Sequence, residues 1–519
     1  MTSAASLLAV LLSSLLLYLS SPGPGYHFCA WFGLVPLLIV CRQSEPGKSS
    51  LLGFFTGLIY YTLLLRWVTI SLEHYGHLPW WLSWIALILL AAYMSLYLSL
   101  FSWIISYGLK RVRLFWLVPV LWISLDFIRS FLFSGFPWQD LGYGQYSNTM
   151  LIQVADLAGH YGVTFLIVLV NTVIFSFIAA FVPFSGTESR FTLPYTLRQS
   201  VAALLLIGAA LVYSFLQDSH YRSAEGQEKL STIAVQASID QEEKWQKGAA
   251  EQTVEKYISL SHQAAEKKEV DLMIWPETAI PFLRPENQLM KKITSETVQQ
   301  GEYSLLTGMP YITFDSGGAV YYNSALLIKP DLSRFLYHKQ HLVPFGEYIP
   351  FQDKFNLPGP LVQTVGNFSA GESSAPLPAG RGRLGILICF ESIFPELARK
   401  EVDSGANLLV NITNDAWFGY SDAPVQHLSM AVFRAVENRR SLARAANTGI
   451  SCFISAAGQI KQATPLFEPC FVAAELPLLE KKSFYNLYGW LFPHICLLLS
   501  VIAIFLLKKR KDPELQIQD

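Results

Sequence analysis

The chain has 519 residues, of which 52% are apolar and 15% are charged, and its net charge is −1. Soluble globular proteins average about 25% charged residues, so this composition excludes an ordinary soluble protein and indicates a membrane protein. The near-zero net charge also argues against a nucleic-acid partner, because proteins of that class usually carry a basic face.

The long apolar runs are concentrated at the two ends of the chain. Residues 1–217 consist mainly of such runs, residues 220–485 have the composition of a soluble protein, and one more run occupies 487–507. This distribution predicts a seven-helix transmembrane domain, an extramembrane domain, an eighth transmembrane helix and a cytoplasmic basic tail at 508–519.

A transmembrane helix requires about 20 consecutive apolar residues. We interpret the first run as a retained span, because it lacks the basic segment and the cleavage site of a signal peptide. The second run is short enough to be re-entrant, and the fourth is long enough to tilt. The predicted spans are 4–20, 27–41, 50–70, 79–106, 114–131, 162–183, 200–216 and 487–507.

The loops between these spans carry most of their positive charge on one side. One set of loops contains only Arg66 and Arg129, whereas the alternating set contains eleven basic residues. Because cytoplasmic loops are enriched in Lys and Arg, both termini are predicted to be cytoplasmic. Residues 220–485 would then be periplasmic, with the protein in a bacterial inner membrane. The eleven residues are Arg42, Lys48, Lys110, Arg111, Arg113, Arg190, Arg198, Lys508, Lys509, Arg510 and Lys511.

Two segments of the first domain place polar or aromatic side chains near the membrane. Asp126 and Arg129 lie three residues apart, so on a helix they would share a face and could pair. The Gly-Phe-Pro-Trp segment at 135–138 is interpreted as part of an aromatic interfacial belt with tight turns.

Residues 220–485 alternate short β-rich apolar runs with amphipathic helical segments, which is typical of an α/β domain. The predicted helices cover 246–268 and 424–445. The predicted strands are Ser231–Gln236, Asp271–Trp275, Tyr303–Met309, Ala319–Ile328, Leu384–Cys389, Asn407–Thr413 and Ser451–Ser455.

Three reactive side chains stand where predicted strands end or return. Glu277 follows a strand that Pro276 must terminate, Cys389 ends another strand, and Lys339 lies in a hairpin return at 334–341. Loops at strand ends of α/β sheets are where ligands bind. Taken singly, each residue has a commoner interpretation: a core thiol, a solvated turn carboxylate and an exposed lysine.

Together the three residues form a minimal set for nucleophilic catalysis. A cysteine reacts as thiolate, and its reference pKa is about 8.5, so it needs a base and a cation to hold the developing charge. His338 and His341 flank Lys339, but their spacing indicates neither a Cys–His pair nor a zinc site. No metal or organic cofactor is expected.

At these residues the chain resembles the nitrilase superfamily, and more closely the apolipoprotein N-acyltransferases. The resemblance covers essentially the whole chain, and the order and spacing of its motifs are specific. The motifs are Ile274-Trp275-Pro276-Glu277, Tyr322-Asn323-Ser324, the segment Lys339–Glu347, Ile388-Cys389-Phe390-Glu391, the segment Asn414–Gly419, Asn447-Thr448-Gly449 and Gly135-Phe136-Pro137-Trp138.

The resemblance implies an α-β-β-α sandwich at 220–485 and an N-acyltransferase reaction in two steps. Cys389 would take an acyl chain from a membrane phospholipid, typically phosphatidylethanolamine, and hold it as a thioester. The α-amino group of the S-diacylglyceryl-cysteine of an apolipoprotein would then accept the chain. Glu277 would be the general base and Lys339 the oxyanion stabiliser, and the protein is expected to act as a monomer.

The resemblance also implies supporting residues. Glu347 would hold Lys339 and keep it charged, whereas Phe390 stands where the family often has Tyr, which predicts an altered site that is still active. For Trp417 a core position remains an equally good interpretation. The other residues at positions that the family uses around the site are Asn323, Asn414, Glu391 and Trp245.

Two further interpretations remain open at this stage. The apolar, Pro/Gly-rich segment 350–370 is either buried turn structure or a mobile lid that touches the membrane. The protein as a whole could instead be a membrane-anchored nitrilase or amidase that hydrolyses small amides, or a non-catalytic homologue that binds lipoproteins. The complete set of Glu277, Lys339 and Cys389 argues against the non-catalytic alternative.

Overall fold

The computed structural model describes most of the chain, which divides into two compact units. One unit comprises Met1–Glu73, His77–Asp218 and Leu487–Asp519, and the other comprises His74–Gly76 and Ser219–Asn486. Trp245, Arg113, Arg190, residues 350–367 and the tail from 510, about which predictions were made, lie outside the described residues. The described residues are 3–111, 114–181, 192–222, 228–241, 243–244, 246, 248–266, 269–282, 287–315, 318–349, 368–372 and 375–509.

The first unit is helical throughout its described part. Its long helices are rich in Leu, Ile, Val and Ala and expose much of that apolar surface, as expected where lipid is the surrounding medium. Its α-helices are Ser3–Leu19, Val35–Gln43, Pro46–Leu64, Trp67–Ile70, Trp80–Leu109, Leu117–Phe131, Ala155–Ala158, His160–Phe181, Leu193–Arg222 (up to Asp218 in this unit) and Phe492–Lys509. Short 3-10 or π turns occupy His27–Trp31, Ser71–Tyr75 (up to Glu73 in this unit), Gly142–Gln145, Leu151–Val154 and Gly489–Leu491.

Four of the described helical segments are long and apolar enough to cross a membrane: Trp80–Leu109, His160–Phe181, Leu193–Tyr221 and Gly489–Lys509. A fifth is possible if Pro46–Leu64 and Trp67–Tyr75, which are bent by 51° relative to each other, form one span. The remaining apolar helices are shorter than a full span, so the count of eight stays a prediction.

The polar pair predicted in this unit is present. Arg129 donates from Nη2 to Asp126 Oδ1 at 3.1 Å, and it also donates to the backbone carbonyls of Trp138 and Gln139 at 3.2 and 3.0 Å. Trp138 is only 1% exposed and packs against Trp67 with ring centroids 4.7 Å apart. Trp138 therefore fills the interior of the unit, and the interpretation of this residue as part of an interfacial belt is wrong.

The second unit contains two six-stranded sheets, which we number along the chain. The first sheet has the order β12-β1-β2-β3-β4-β5 and the second β11-β10-β9-β8-β7-β6, each with parallel strands in the centre and antiparallel strands at the edges. The strands are β1 (Lys229–Gln236), β2 (Leu272–Ile274), β3 (Ser304–Asp315), β4 (Gly318–Ile328), β5 (Arg334–His338), β6 (Leu377–Ala379), β7 (Gly382–Ile388), β8 (Leu408–Thr413), β9 (Ser441–Ala446), β10 (Cys452–Ile454), β11 (Ile460–Lys461) and β12 (Cys470–Pro477).

The sheets pack face to face and helices cover their outer faces. On β2 the alternation of strand side chains places Leu272 and Ile274 in the core between the sheets and Met273 in the core beneath the helices. This is the expected α-β-β-α arrangement of a nitrilase-like domain. The helices of the unit are Ala249–Ala265, Gln288–Ile293, Pro395–Asp403, Ala423–Asn438 and Phe484–Leu487, with further turns at Thr294–Gln299, Cys389–Ile393 and Asp415–Phe418.

The predicted helix at 424–445 is wrong in its second part. The helix ends at Asn438 because Arg439 adopts the left-handed conformation, with a φ of +49°. Ser441–Ala446 then forms β9, a fully buried strand. Buried strands and buried helices are both continuously apolar, so periodicity alone did not separate the two.

Candidate active site

Glu277 lies beyond the end of β2 and is only 6% exposed. Its Oε1 accepts a hydrogen bond from Asn323 Nδ2 at 2.7 Å, and its Oε2 accepts one from the backbone N–H of Asn414 at 2.9 Å. Gly308 on β3 permits this close packing, because a Cβ there would lie 2.5 Å from the Cα of Glu277. The carboxylate is therefore fixed on both oxygens.

Lys339 follows β5 and is 1% exposed. Its Nζ donates to Glu347 Oε1 at 2.9 Å and lies 3.8 Å from Glu277 Oε1. Its backbone N–H donates to the carbonyl of Asn323 at 2.8 Å, which fixes the start of the lysine loop to β4. The ammonium thus stands between two carboxylates, of which Glu347 is the nearer.

Cys389 follows β7 and is 9% exposed. Its φ of +51° lies in the left-handed region, where a non-glycine residue costs of order 1–3 kcal/mol and is often found at functional sites. It begins the 3-10 turn Cys389–Ile393, and Thr413 acts to lower the pKa of its thiol. Cys389 therefore lies on a sharp strand-to-helix turn.

Cys389 and Lys339 have shifted pKa values, and Glu277 contributes to both shifts. Burial raises the pKa of the Cys389 thiol above its ordinary value, and Glu277 adds to this effect, whereas Lys339 acts in the opposite direction. Burial alone would lower the pKa of Lys339, but Glu347 and Glu277 raise it above its ordinary value. The resting site therefore holds a neutral thiol beside a charged lysine, and attack by sulfur requires a base.

Glu391 joins the cysteine turn to the lysine loop. Its Oε2 accepts the backbone N–H of Ile388 at 2.7 Å, and its Oε1 accepts those of Gln340 and His341 at 2.6 and 3.2 Å. The Tyr337 hydroxyl lies 3.1 Å from both oxygens. This buried carboxylate binds backbone N–H groups of both loops and so fixes the distance between them. Its contacts are those of a residue that supports the site.

The two amide residues indicated by the sequence both contact Glu277, in different ways. Asn323 Nδ2 lies between Glu277 Oε1 and Glu347 Oε1, at 2.7 Å from each. Asn414 uses its backbone N–H, while its side chain donates to Gln241 Oε1 at 2.7 Å.

The aromatic residues indicated by the sequence lie in different surroundings. Phe390 is buried and packs edge-on against Phe394, with ring centroids 5.2 Å apart. Trp417 is 40% exposed and packs edge-on against Tyr75 at 5.0 Å, so the alternative of a core position is wrong. The position of Trp245 stays a prediction, since that residue is outside the described part of the chain.

Sequence reasoning missed Lys244 and Thr413. Lys244 is 1% exposed, and burial lowers its pKa to about 8 although Glu277 acts in the opposite direction. It stands in the charged segment Gln241–Lys247, which is typical of a solvated turn, so no local pattern indicated its burial. Thr413 ends β8, and that position at a buried strand end was a usable signal.

The arrangement supplies a thiol, a carboxylate near enough to influence its protonation, and a cation beside both. These are the requirements for forming and breaking an acyl–sulfur bond. Within the described residues, no group of three or more His, Cys, Asp or Glu side chains is placed to hold a metal ion.

Comparisons with known families divide the chain at the same two regions. Residues 13–173 match the model of the apolipoprotein N-acyltransferase N-terminal domain, and residues 233–480 match the carbon-nitrogen hydrolase model. An apolipoprotein N-acyltransferase from Geobacter metallireducens is 41% identical over 509 residues, covering 97% of this chain and 96% of the relative. One from Pasteurella multocida is 32% identical, covering 89% and 88%.

Among solved structures, the carbon-nitrogen hydrolase from Helicobacter pylori G27 is similar to part of this chain. It is 17% identical and covers 51% of this chain and 94% of its own, with a TM-score of 0.38.

Proposed function

The chain belongs to the apolipoprotein N-acyltransferases, membrane-associated enzymes that acylate lipoproteins with a chain from a lipid donor, and we propose that Glu277, Lys339 and Cys389 carry out this transfer. The donor is a membrane phospholipid, with phosphatidylethanolamine as the expected one. The acceptor is the α-amino group of the S-diacylglyceryl-cysteine at the N-terminus of an apolipoprotein.

In the first step the sulfur of Cys389 attacks the ester carbonyl of the phospholipid. Glu277 takes the thiol proton as the carbon–sulfur bond forms, and Lys339 donates to the oxyanion that develops on the carbonyl oxygen. The ester carbon–oxygen bond then breaks, and Glu277 returns the proton to the departing alkoxide. Lysophospholipid leaves and a thioester remains on Cys389.

In the second step the amine of the acceptor attacks the thioester. A carbon–nitrogen bond forms, Glu277 takes a proton from the amine, and the carbon–sulfur bond breaks. The proton passes to the sulfur of Cys389, so the resting site is restored. Glu277 thus acts as base and acid in turn, and no external reactant is needed.

The observation that carries this proposal is the position of the Lys339 ammonium. It is buried, lies 2.9 Å from Glu347 and 3.8 Å from Glu277, and acts electrostatically on the Cys389 thiol. A buried cation that is held by a carboxylate, and whose charge also acts on the thiol, can stabilise negative charge on a carbonyl oxygen bound at the sulfur. An oxyanion donor of this kind lowers the activation free energy by about 3–4 kcal/mol.

The test is mass spectrometry of the full-length protein incubated with phosphatidylethanolamine in detergent. We expect an added acyl mass on the peptide that contains Cys389, and we expect addition of a diacylated lipopeptide to remove it. Cys389→Ala should show neither the adduct nor transfer. If the wild type forms no adduct but hydrolyses small amides, the amidase alternative is correct.

We also propose the membrane arrangement that the charge distribution predicts. Eight spans at the predicted positions would place both termini in the cytoplasm and residues 220–485 in the periplasm of a bacterial inner membrane, with the protein as a monomer. Such an arrangement would confine the site to the surface where both lipid-anchored substrates lie, which supplies proximity. Labelling of introduced cysteines at 47, which is exposed, and at 225 by an impermeant reagent should modify only the second position in intact spheroplasts, and both positions after the membrane is permeabilised.

A further inference from the structure

The carbonyl oxygen of Cys389 is held by two side chains from behind the nucleophile. Ser392 Oγ donates to it at 3.0 Å, and His427 Nε2 lies 3.1 Å from it. His427 is 1% exposed and belongs to the helix Ala423–Asn438. This residue has no part in the reaction steps described above, although it contacts the backbone of the nucleophile itself.

His427 is held in turn by a buried ion pair. Its Nδ1 lies 3.0 Å from Asp415 Oδ1 and 3.1 Å from Arg444 Nη2, and the same Nη2 donates to Asp415 Oδ2 at 2.7 Å. Both residues of the ion pair are fully buried. Thr413 Oγ1 donates to Asp415 Oδ1 at 2.9 Å. We call Asp415, His427 and Arg444 the elbow cluster.

Both nitrogens of the imidazole face acceptors. Nε2 faces the Cys389 carbonyl, which can only accept, and the Ser392 hydroxyl, whose proton goes to that carbonyl, while Nδ1 faces Asp415 Oδ1. A proton on Nε2 therefore gives the carbonyl a second donor beside Ser392. Burial and then Arg444 lower the pKa of His427 below its ordinary value, while Asp415 acts in the opposite direction.

Fixing this carbonyl also fixes an N–H group. The peptide unit between Cys389 and Phe390 is planar, and in a trans unit the C=O and the N–H point in opposite directions. A donor that holds the oxygen of Cys389 from behind therefore directs the N–H of Phe390 to the opposite side. On sharp nucleophile turns, the N–H of the following residue is a common oxyanion donor.

The elbow cluster is also connected to Glu277, through the backbone of Asn414. Asp415 and Thr413, which are hydrogen-bonded to each other, flank Asn414 in the chain, and the backbone N–H of Asn414 donates to Glu277 Oε2 at 2.9 Å. Gly449 packs directly on Asp415, since a Cβ there would lie 2.3 Å from its Oδ2. One rigid group of side chains therefore sets the peptide of the nucleophile and the peptide that holds the base.

We propose that His427, held by Asp415 and Arg444, is a positioning residue for acyl transfer: it holds the Cys389 carbonyl so that the Phe390 N–H serves with Lys339 as an oxyanion donor. The inference rests on the proposed function, because it concerns the oxyanion formed when Cys389 attacks an ester. It gives the buried histidine a role in the reaction.

The test compares two reactions of Cys389 in the full-length enzyme. Acylation by phosphatidylethanolamine passes through an oxyanion, whereas alkylation by iodoacetamide displaces iodide and forms no oxyanion. The variants are His427→Ala, His427→Gln, whose amide N–H can still donate to the carbonyl, and Asn486→Ala. Asn486 is a matched control, because it is buried and donates to Asn438 Oδ1 at 2.6 Å but belongs to the short helix Phe484–Leu487.

We expect His427→Ala to acylate about 10²-fold more slowly, as for loss of one oxyanion donor, with a fall in alkylation at least an order of magnitude smaller. His427→Gln should recover most of the acylation rate. Asn486→Ala should lower the thermal midpoint and leave both rates unchanged.

Three results would overturn the inference: normal acylation by His427→Ala, equal falls in acylation and alkylation, or a His427→Gln variant as slow as His427→Ala. If the wild type forms no adduct on Cys389, the proposed function itself has failed. That outcome is distinguishable, because it appears before any variant is compared.

Discussion

Both units bury charged side chains, but they use them differently. In the first unit, Arg129 is 2% exposed and donates hydrogen bonds to Asp126 and to the backbone carbonyls of Trp138 and Gln139. These acceptors are all fixed parts of the fold. The guanidinium therefore holds a helix to the loop that follows it, which is a structural use of a buried charge.

In the second unit, the buried charges end at a reactive group. Lys339 is 1% exposed and hydrogen-bonds Glu347, while its charge also acts on Glu277 and on the Cys389 thiol. Burial of an ion pair therefore does not by itself indicate an active site. An active site is indicated when the buried charges also act on a reactive side chain, here a thiol on a turn with positive φ.

The two units also differ in where they place their apolar side chains. Only 17% of the 18 most apolar consecutive residues of Leu193–Tyr221 are buried, so most apolar side chains of this helix face outward. In the second unit, the apolar residues of β8 are fully buried between layers. Lipid can solvate the first kind of surface and water cannot, which is why one unit places its apolar groups outside and the other inside.

The largest expected effect on acyl transfer is that of changing Glu277, the proposed base. Glu277→Gln keeps the shape and one acceptor of the side chain but cannot take the thiol proton, so acyl-enzyme formation should fall about 10³-fold. Stopped reactions analysed by mass spectrometry measure this rate. Normal acylation of Cys389 in the variant would show that Glu277 is not the base. The carboxylate would then be structural, like the buried charges of the first unit.

A smaller effect, with a pH signature, is expected from Glu347→Gln. Because Glu347 helps to raise the pKa of Lys339, its loss lets burial lower that pKa, so Lys339 loses its proton at a lower pH than in the wild type. The alkaline limit of kcat should move to lower pH, and the rate at neutral pH should fall about tenfold.

The measurement for Glu347→Gln is a profile of kcat against pH for the variant and the wild type. Glu255→Gln is a suitable control, since Glu255 forms a largely exposed pair with Lys292 on the surface of the same unit. Superimposable profiles for Glu347→Gln and the wild type would contradict the assigned role.

The smallest effect on chemistry is expected from Arg129→Met in the first unit. Breaking the buried pair leaves Asp126 without its partner, which should lower the free energy of unfolding by about 3 kcal/mol. The alkylation rate of Cys389 by iodoacetamide should stay at the wild-type value in folded protein. Thermal unfolding in detergent measures the first quantity, and Asp126→Asn combined with Arg129→Met should recover part of the loss.

One result for Arg129→Met would contradict a purely structural role of this buried charge. If this variant unfolds like the wild type but loses acyl transfer, the charge in the first unit acts on the reaction and is not only structural.

Local sequence patterns were enough to predict several features. The strand that ends before Glu277 followed from an apolar run and a proline, and the pairing of Asp126 with Arg129 followed from their spacing of three. The second part of the predicted helix at 424–445 failed at Arg439, whose left-handed conformation is not written in any periodicity.

The sequence by itself determined the division into an apolar and a soluble part, the α/β class of the latter, and the family, because composition, periodicity and ordered motifs are local properties. Only the tertiary structure decided that His427 lies behind the Cys389 carbonyl, 38 residues away in the chain, and that Asn414 donates to Glu277 across 137 residues. Such contacts are set by how the two sheets and their helices pack. A side chain's neighbours across a packed core leave no mark on its own stretch of sequence, which is why Cys389 could be singled out from the sequence and the groups that contact its backbone could not.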